Sequence, residues 1–88
     1  MDIDQLINLI RDVKPSLQGQ TLSPEDSLVD DLGLDSLDLL QLGRRIQRAA
    51  GVPFVHEDWA AAERCKEAPR FTIVSMQRMI ASLAQQSA

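Results

Sequence analysis

Prolines and a glycine cut this chain into stretches whose apolar residues recur every three or four positions, and that spacing belongs to helices. In the first stretch Ile3, Leu6, Ile7, Ile10 and Val13 fall on one helical face. Asp2 and Asp4 open it and Lys14 closes it, as a helix dipole favours, and Pro15 stops it. A second helix is predicted from Ser36 to Ala50, with Gly51 as its stop and Pro53 just beyond. A brief third helix is predicted from His56 to Arg64, anchored by Trp59 and closed off by Pro69. The fourth starts after Thr72 as N-cap and turns Ile73, Met76, Met79, Ile80 and Leu83 inward. The tail, Gln85 to Ala88, is expected to fray. Aromatics make up 3% of the residues and tyrosine is absent, so the composition favours helix over sheet. The expected fold is all-α. It is a small four-helix bundle of three main helices and a short third, in a single domain spanning 1–88, with a long loop between helices one and two.

Size and charge narrow the function. An 88-residue chain buries only about 60–65% of its unfolded surface, so its core is thin and a deep pocket is not expected. The net charge is −4 and the pI about 4.7, a balance that repels phosphate backbones and argues against nucleic-acid binding. One cysteine, Cys65, cannot form an internal disulfide and suits a reducing cytoplasm. One histidine and one cysteine cannot build a structural zinc site, and no metal is expected. The start of the chain is acidic, unlike a signal peptide, and no apolar run approaches the roughly 20 residues of a membrane helix. Met1 and the short length point to a free-standing, monomeric cytoplasmic protein.

The loop from Pro15 to Asp35 is longer than most connections in small domains. Ser23 before Pro24 predicts a short helical turn over Pro24–Val29, and Leu22, Leu28, Leu32 and Leu34 can pin the loop to the core. On the second helix, Leu39, Leu42, Ile46, Ala49 and Ala50 share a side that reads as a buried stripe. The other side carries Leu37, Leu40, Gln41, Arg44 and Arg48. Leucines rimmed by charge on an outer face mark a partner site; packing of Leu37 and Leu40 under the loop is the plain alternative. Ser36 stands at the head of that helix. Alone, a serine there reads as an N-cap. Asp35 can cap the helix itself, however, which leaves the Ser36 hydroxyl free at the positive end of the dipole, a position suited to a phosphoryl group.

The run "GLDSLDLLQL", with Gly33, Leu34, Asp35, Ser36 and Leu37 at its core, resembles the modification site of acyl carrier proteins. The order of helices and the acidic balance extend the likeness over nearly the whole chain. The resemblance implies that Ser36 accepts 4′-phosphopantetheine from coenzyme A, transferred by a separate phosphopantetheinyl transferase with Mg²⁺. Acyl, ketide or aminoacyl groups then ride the arm as thioesters. The implied partners are that transferase, a loading enzyme, and downstream synthases or transferases that meet Asp35, Leu37, Leu40, Gln41, Arg44 and Arg48. The carrier itself is not an enzyme; it supplies tethering and a high local concentration.

One departure from the family pattern stands out. Many fatty-acid carriers have an acidic second helix. Here Ser36–Ala50 sets three arginines against one acid, a net +2, while Leu22–Asp35 holds five acids and no base, a net −5. Electrostatic complementarity sets encounter rate and partner choice, so partners should present an acidic or neutral surface opposite Arg44 and Arg48. That points away from the housekeeping fatty-acid system and toward polyketide, peptide-like or other specialised metabolism. The acids Asp26, Asp30, Asp31 and Asp35 do not follow calcium-loop spacing. His56, Glu57 and Asp58 at a helix start point in different directions, and Cys65 reads as an incidental thiol. Val55, Trp59 and the third helix are expected to border a pocket for cargo. The alternative function is an unmodified helical docking module that binds a partner through the second helix.

Overall fold

The computed structural model describes residues 1–86, and among them four α-helices form the fold: α1 (Ile3–Val13), α2 (Ser36–Ala50), α3 (His56–Arg64) and α4 (Ile73–Gln86). The expected all-α bundle with a long α1–α2 connection is the observed one. α1 opens with a reciprocal cap, in which the Gln5 N–H donates to the Asp2 carboxylate at 2.8 Å and the Asp2 N–H to the Gln5 side chain at 3.0 Å. Pro15 ends it, and the chain turns at once into a 3₁₀ turn, Pro15–Leu17. α2 ends at Gly51, whose φ of +67° is the left-handed conformation that other residues reach only with strain.

The core gathers where α1, α2 and α4 meet. Leu6, Ile10, Leu42, Ile46, Ile73, Met76 and Ile80 are wholly buried there. Phe54, in the link between α2 and α3, joins them, and Gln47 Nε2 donates to its carbonyl at 2.6 Å. One inward expectation, Ala49, is corrected, and Ala50 packs at the core's edge. Ala49 is exposed and Ala50 half-buried, while Gly43 is buried because α2 passes close to the Phe54 ring and the His56 backbone at that point. Met79 and Leu83 are half-buried at the edge of the core. At the C-terminus the helix runs through Gln86; Ser87 and Ala88 of the tail expected to fray lie outside the described residues.

The long connection is a packed part of the molecule. Leu22, Leu28, Leu32 and Leu34 are all buried, as their spacing suggested. The turn expected over Pro24–Val29 forms at its start, where the Asp26 N–H donates to the Ser23 carbonyl at 3.0 Å, but it does not continue as a helix. Beyond it Ser27 pairs with Thr72 in an isolated antiparallel bridge, and the Leu28 N–H donates to the Phe71 carbonyl at 2.8 Å. The Ser27 N–H donates to the Asp31 carboxylate at 2.7 Å and the Asp30 N–H to the Ser27 hydroxyl at 3.1 Å; such local bonds compete with helix formation.

The same segment caps α4. A helix start leaves four N–H groups without partners. Here the Ile73 N–H donates to the Asp26 carbonyl, Val74 to the Pro24 carbonyl and Ser75 to the Thr72 hydroxyl, and the Met76 N–H makes the helix's first internal bond, to the Thr72 carbonyl. The loop thus replaces water at the head of α4. Leu28 is its deepest anchor, so Leu28→Ala should lower unfolding free energy by about 3 kcal/mol in urea titration. A cost within ~0.5 kcal/mol, the range of ordinary surface substitutions, would mean that the loop is not part of the core.

Candidate functional site

Ser36 is the first residue of α2, and Asp35 caps the helix in its place. The Asp38 N–H donates to the Asp35 carboxylate at 2.8 Å, and the Asp35 N–H to the Asp38 carboxylate at 3.3 Å. Both orphan donors are met without the serine. Ser36 is exposed. Its hydroxyl stands at the positive end of a fifteen-residue helix, where an anion is stabilised.

The approach to Ser36 is held from behind. Gly33 takes a φ of +72°, and Lys14 Nζ donates to its carbonyl at 2.8 Å. The end of α1 therefore clamps the turn that delivers Leu34 to the core and Asp35 to the cap. Lys14 itself is the C-cap residue of α1 rather than part of its last turn. Asp26, Asp31 and Asp35 accept backbone N–H groups of Ser23, Ser27 and Asp38, so these three acids shape turns. Among the described residues no group of three or more acids, histidines or cysteines is placed to hold a metal ion.

The outer face of α2 is open. Leu37 is 61% exposed and Leu40 39%, so neither packs under the loop. Gln41, Arg44 and Arg48 are exposed beside them. No carboxylate lies within ion-pair distance of Arg44, Arg45 or Arg48 among the described residues, where the ion pair formed is Lys66 with Glu63. The other large apolar side chains left exposed are Val29 and Val55. Val29 borders the cleft beside Ser36, and Val55 lines a notch of about 180 Å³ with Leu40, Gly43, Arg44 and Phe54. The exposed apolar surface is thereby gathered along α2 and its flanks.

A cleft of about 460 Å³ opens beside Ser36, between α2 and α3, with Leu39, Trp59, Ala60, Phe71 and Arg64 in its walls. Trp59 borders it as expected. Val55 does not, because it lies on the far side of His56, which lines both spaces. Trp59 is 1% exposed overall and meets Phe71 edge to face, with ring centres 5.6 Å apart at 78°.

Glu63 is a site residue that the sequence pattern did not mark. It is buried, at 4% exposure. Its carboxylate accepts the Ser75 hydroxyl at 2.7 Å and the Arg70 N–H at 3.3 Å, and pairs with Lys66 Nζ at 2.9 Å. Trp59 lies four residues earlier, on the same face of α3, and that spacing was the available signal. Burial pushes the Glu63 carboxyl upward, but bonds from Lys66, Ser75 and the Arg70 N–H outweigh it and hold the group below its ordinary 4.5. A depressed carboxyl contributes stability that is complete above its unfolded value and lost as pH falls through the folded one. Glu63→Gln should therefore flatten the loss of stability below about pH 5 in acid titrations followed by circular dichroism; an unchanged acid slope would contradict this.

These features meet in a segment that has known relatives. The phosphopantetheine attachment-site family profile matches residues 4–55, more than half of the chain and the part that includes Ser36. The chain belongs to that family. Its members are non-catalytic carriers with a covalently attached 4′-phosphopantetheine. Curated relatives include the acyl carrier protein AcpXL of Brucella melitensis biotype 1 and of Brucella suis biovar 1. Each is 34% identical over 56 residues, covering 64% of this chain and 59% of the relative. AcpXL of Rhizobium meliloti is 32% identical over 56 residues, covering 64% and 58%. The chain thus matches less than two thirds of these relatives' length. No solved structure matches it.

Proposed function

We propose that this protein is an acyl carrier whose 4′-phosphopantetheine is joined to Ser36, and that it presents acyl, ketide or aminoacyl thioesters to the enzymes of a specialised pathway. The observation that carries this is an exposed hydroxyl at the tip of α2, relieved of capping by Asp35. In the transfer, the Ser36 oxygen forms a new bond to the phosphorus bearing the pantetheine. The pyrophosphate bond of coenzyme A breaks, adenosine 3′,5′-bisphosphate leaves, and the serine proton passes to a base of the transferase. Asp35 keeps Ser36 accessible and the α2 dipole stabilises the phosphodiester charge. When bound, the arm supplies a thiol for thioester chemistry.

Partners in this reading are a phosphopantetheinyl transferase, a loading enzyme and downstream synthases or transferases, met by a single-domain monomer in the cytoplasm. The transferase reads the cap and Leu37. Leu40, Gln41, Arg44 and Arg48 form the rest of the docking face. Three arginines without acidic neighbours favour a partner that is acidic or neutral opposite the later turns of α2. The cleft beside Ser36 supports a place for the first part of the cargo, against Trp59 and Leu39.

Incubation with coenzyme A and a broad-specificity transferase should raise the intact mass by one phosphopantetheine, and Ser36→Ala should abolish the gain. Failure of the native chain to gain mass under those conditions would favour an unmodified docking module. Reversal of Arg44 and Arg48 to Glu should slow loading by the pathway's own enzymes about tenfold at low salt, with the difference shrinking as salt rises. Unaffected loading would remove the charge argument. Loading an acyl group should shift the Trp59 emission maximum, and identical spectra for empty and loaded protein would place the cargo elsewhere.

A further inference from the structure

α3 is held to the rest of the molecule in an unusual way for so short a helix. It has nine residues, and its N-cap, Val55, offers no side-chain cap. Its buried side chains are Trp59 and Glu63, one turn apart on one face. Both reach α4 through a single atom, the Ser75 oxygen. Trp59 Nε1 donates to it at 3.0 Å, and it donates to the Glu63 carboxylate at 2.7 Å.

The direction of this chain of bonds is determined by its members. An indole N–H can only donate, and a hydroxyl has one proton. Ser75 must therefore spend that proton on Glu63 while accepting from Trp59. The carboxylate receives three donors, from Ser75, the Arg70 backbone and Lys66, and offers none. An ionised carboxylate thus polarises the hydroxyl toward itself and strengthens its acceptance of the indole. Trp59 also lines the cleft, with Ser36, Leu39 and Phe71.

We infer that Glu63 is a positioning residue for the cleft beside Ser36: through Ser75 it holds the Trp59 ring in one orientation and so fixes how far α3 stands from α2. Resting on the reading of Ser36 as the attachment point, this assigns to Glu63 and Ser75 the control of how well a thioester-bound acyl chain is shielded from water. Phe71 meets the indole nearly at a right angle, with ring centres 5.6 Å apart. The polar relay decides whether the ring stays against it.

The test uses the full chain and two readouts. Without any arm attached, acrylamide quenching of Trp59 fluorescence reports access to the indole. Ser75→Ala, which leaves Glu63 with Lys66 and the Arg70 N–H, should raise the quenching constant about fivefold, the equivalent of one lost hydrogen bond. Glu63→Gln should raise it in the same direction, and Ser75→Thr, which keeps the hydroxyl, should restore the native value. The second readout uses octanoyl-phosphopantetheine transferred from octanoyl-coenzyme A: hydroxylamine should cleave its thioester several-fold faster in Ser75→Ala than in the native chain. Native quenching in both Ser75→Ala and Glu63→Gln would overturn the positioning role. Altered quenching with unchanged thioester cleavage would overturn the shielding role. Absence of transfer to the native chain would count against Ser36 as attachment point, while the quenching result would still decide the positioning role.

Discussion

The bond from the Asp38 N–H to the Asp35 carboxylate determines what Ser36 is free to do. A serine at a helix start ordinarily spends its hydroxyl oxygen on an orphan N–H. Here the preceding residue meets that demand, and Asp38 returns the bond to the Asp35 N–H. Ser36 inherits the electrostatic advantage of the helix tip without the duty of making it. The arrangement depends on a turn in which Gly33 is left-handed and Lys14 grips its carbonyl, so the end of α1 helps to place the reactive end of α2.

The two helices that flank the site are secured by different physics. α2 is held by a buried apolar stripe of Leu39, Leu42 and Ile46 and packs against α1, an arrangement that tolerates no shift without loss of packing. α3 contributes one aromatic ring and one carboxylate, joined at Ser75. One wall of the cleft carries Ser36 and Leu39, and the other carries Trp59 and Ala60.

Much of this was legible from residue order. Helix periodicity and the stop residues placed α2 at Ser36–Ala50 and α3 at His56–Arg64, and Thr72 caps α4 as its position suggested. The exposed leucines of α2 followed from the wheel, since 100° per residue separates Leu37 and Leu40 from Leu39, Leu42 and Ile46. The loop was harder, because Ser27 pairs with a residue forty-five positions away and no local pattern encodes that bridge. Glu63 escaped because charged residues are mostly solvated; two of its three donors, Ser75 and the Arg70 N–H, come from farther along the chain. Val55 was assigned to the wrong space because a single residue, His56, divides two adjoining clefts.

One alcohol, at Ser36, is proposed to carry the arm in the living cell. Protein purified from its native source can be fragmented in a mass spectrometer and the modification located along the chain. Phosphopantetheine, empty or loaded, should be found on the fragment that contains Ser36 and on no other. Native protein with an unmodified Ser36, or with the group on a different residue, would contradict it.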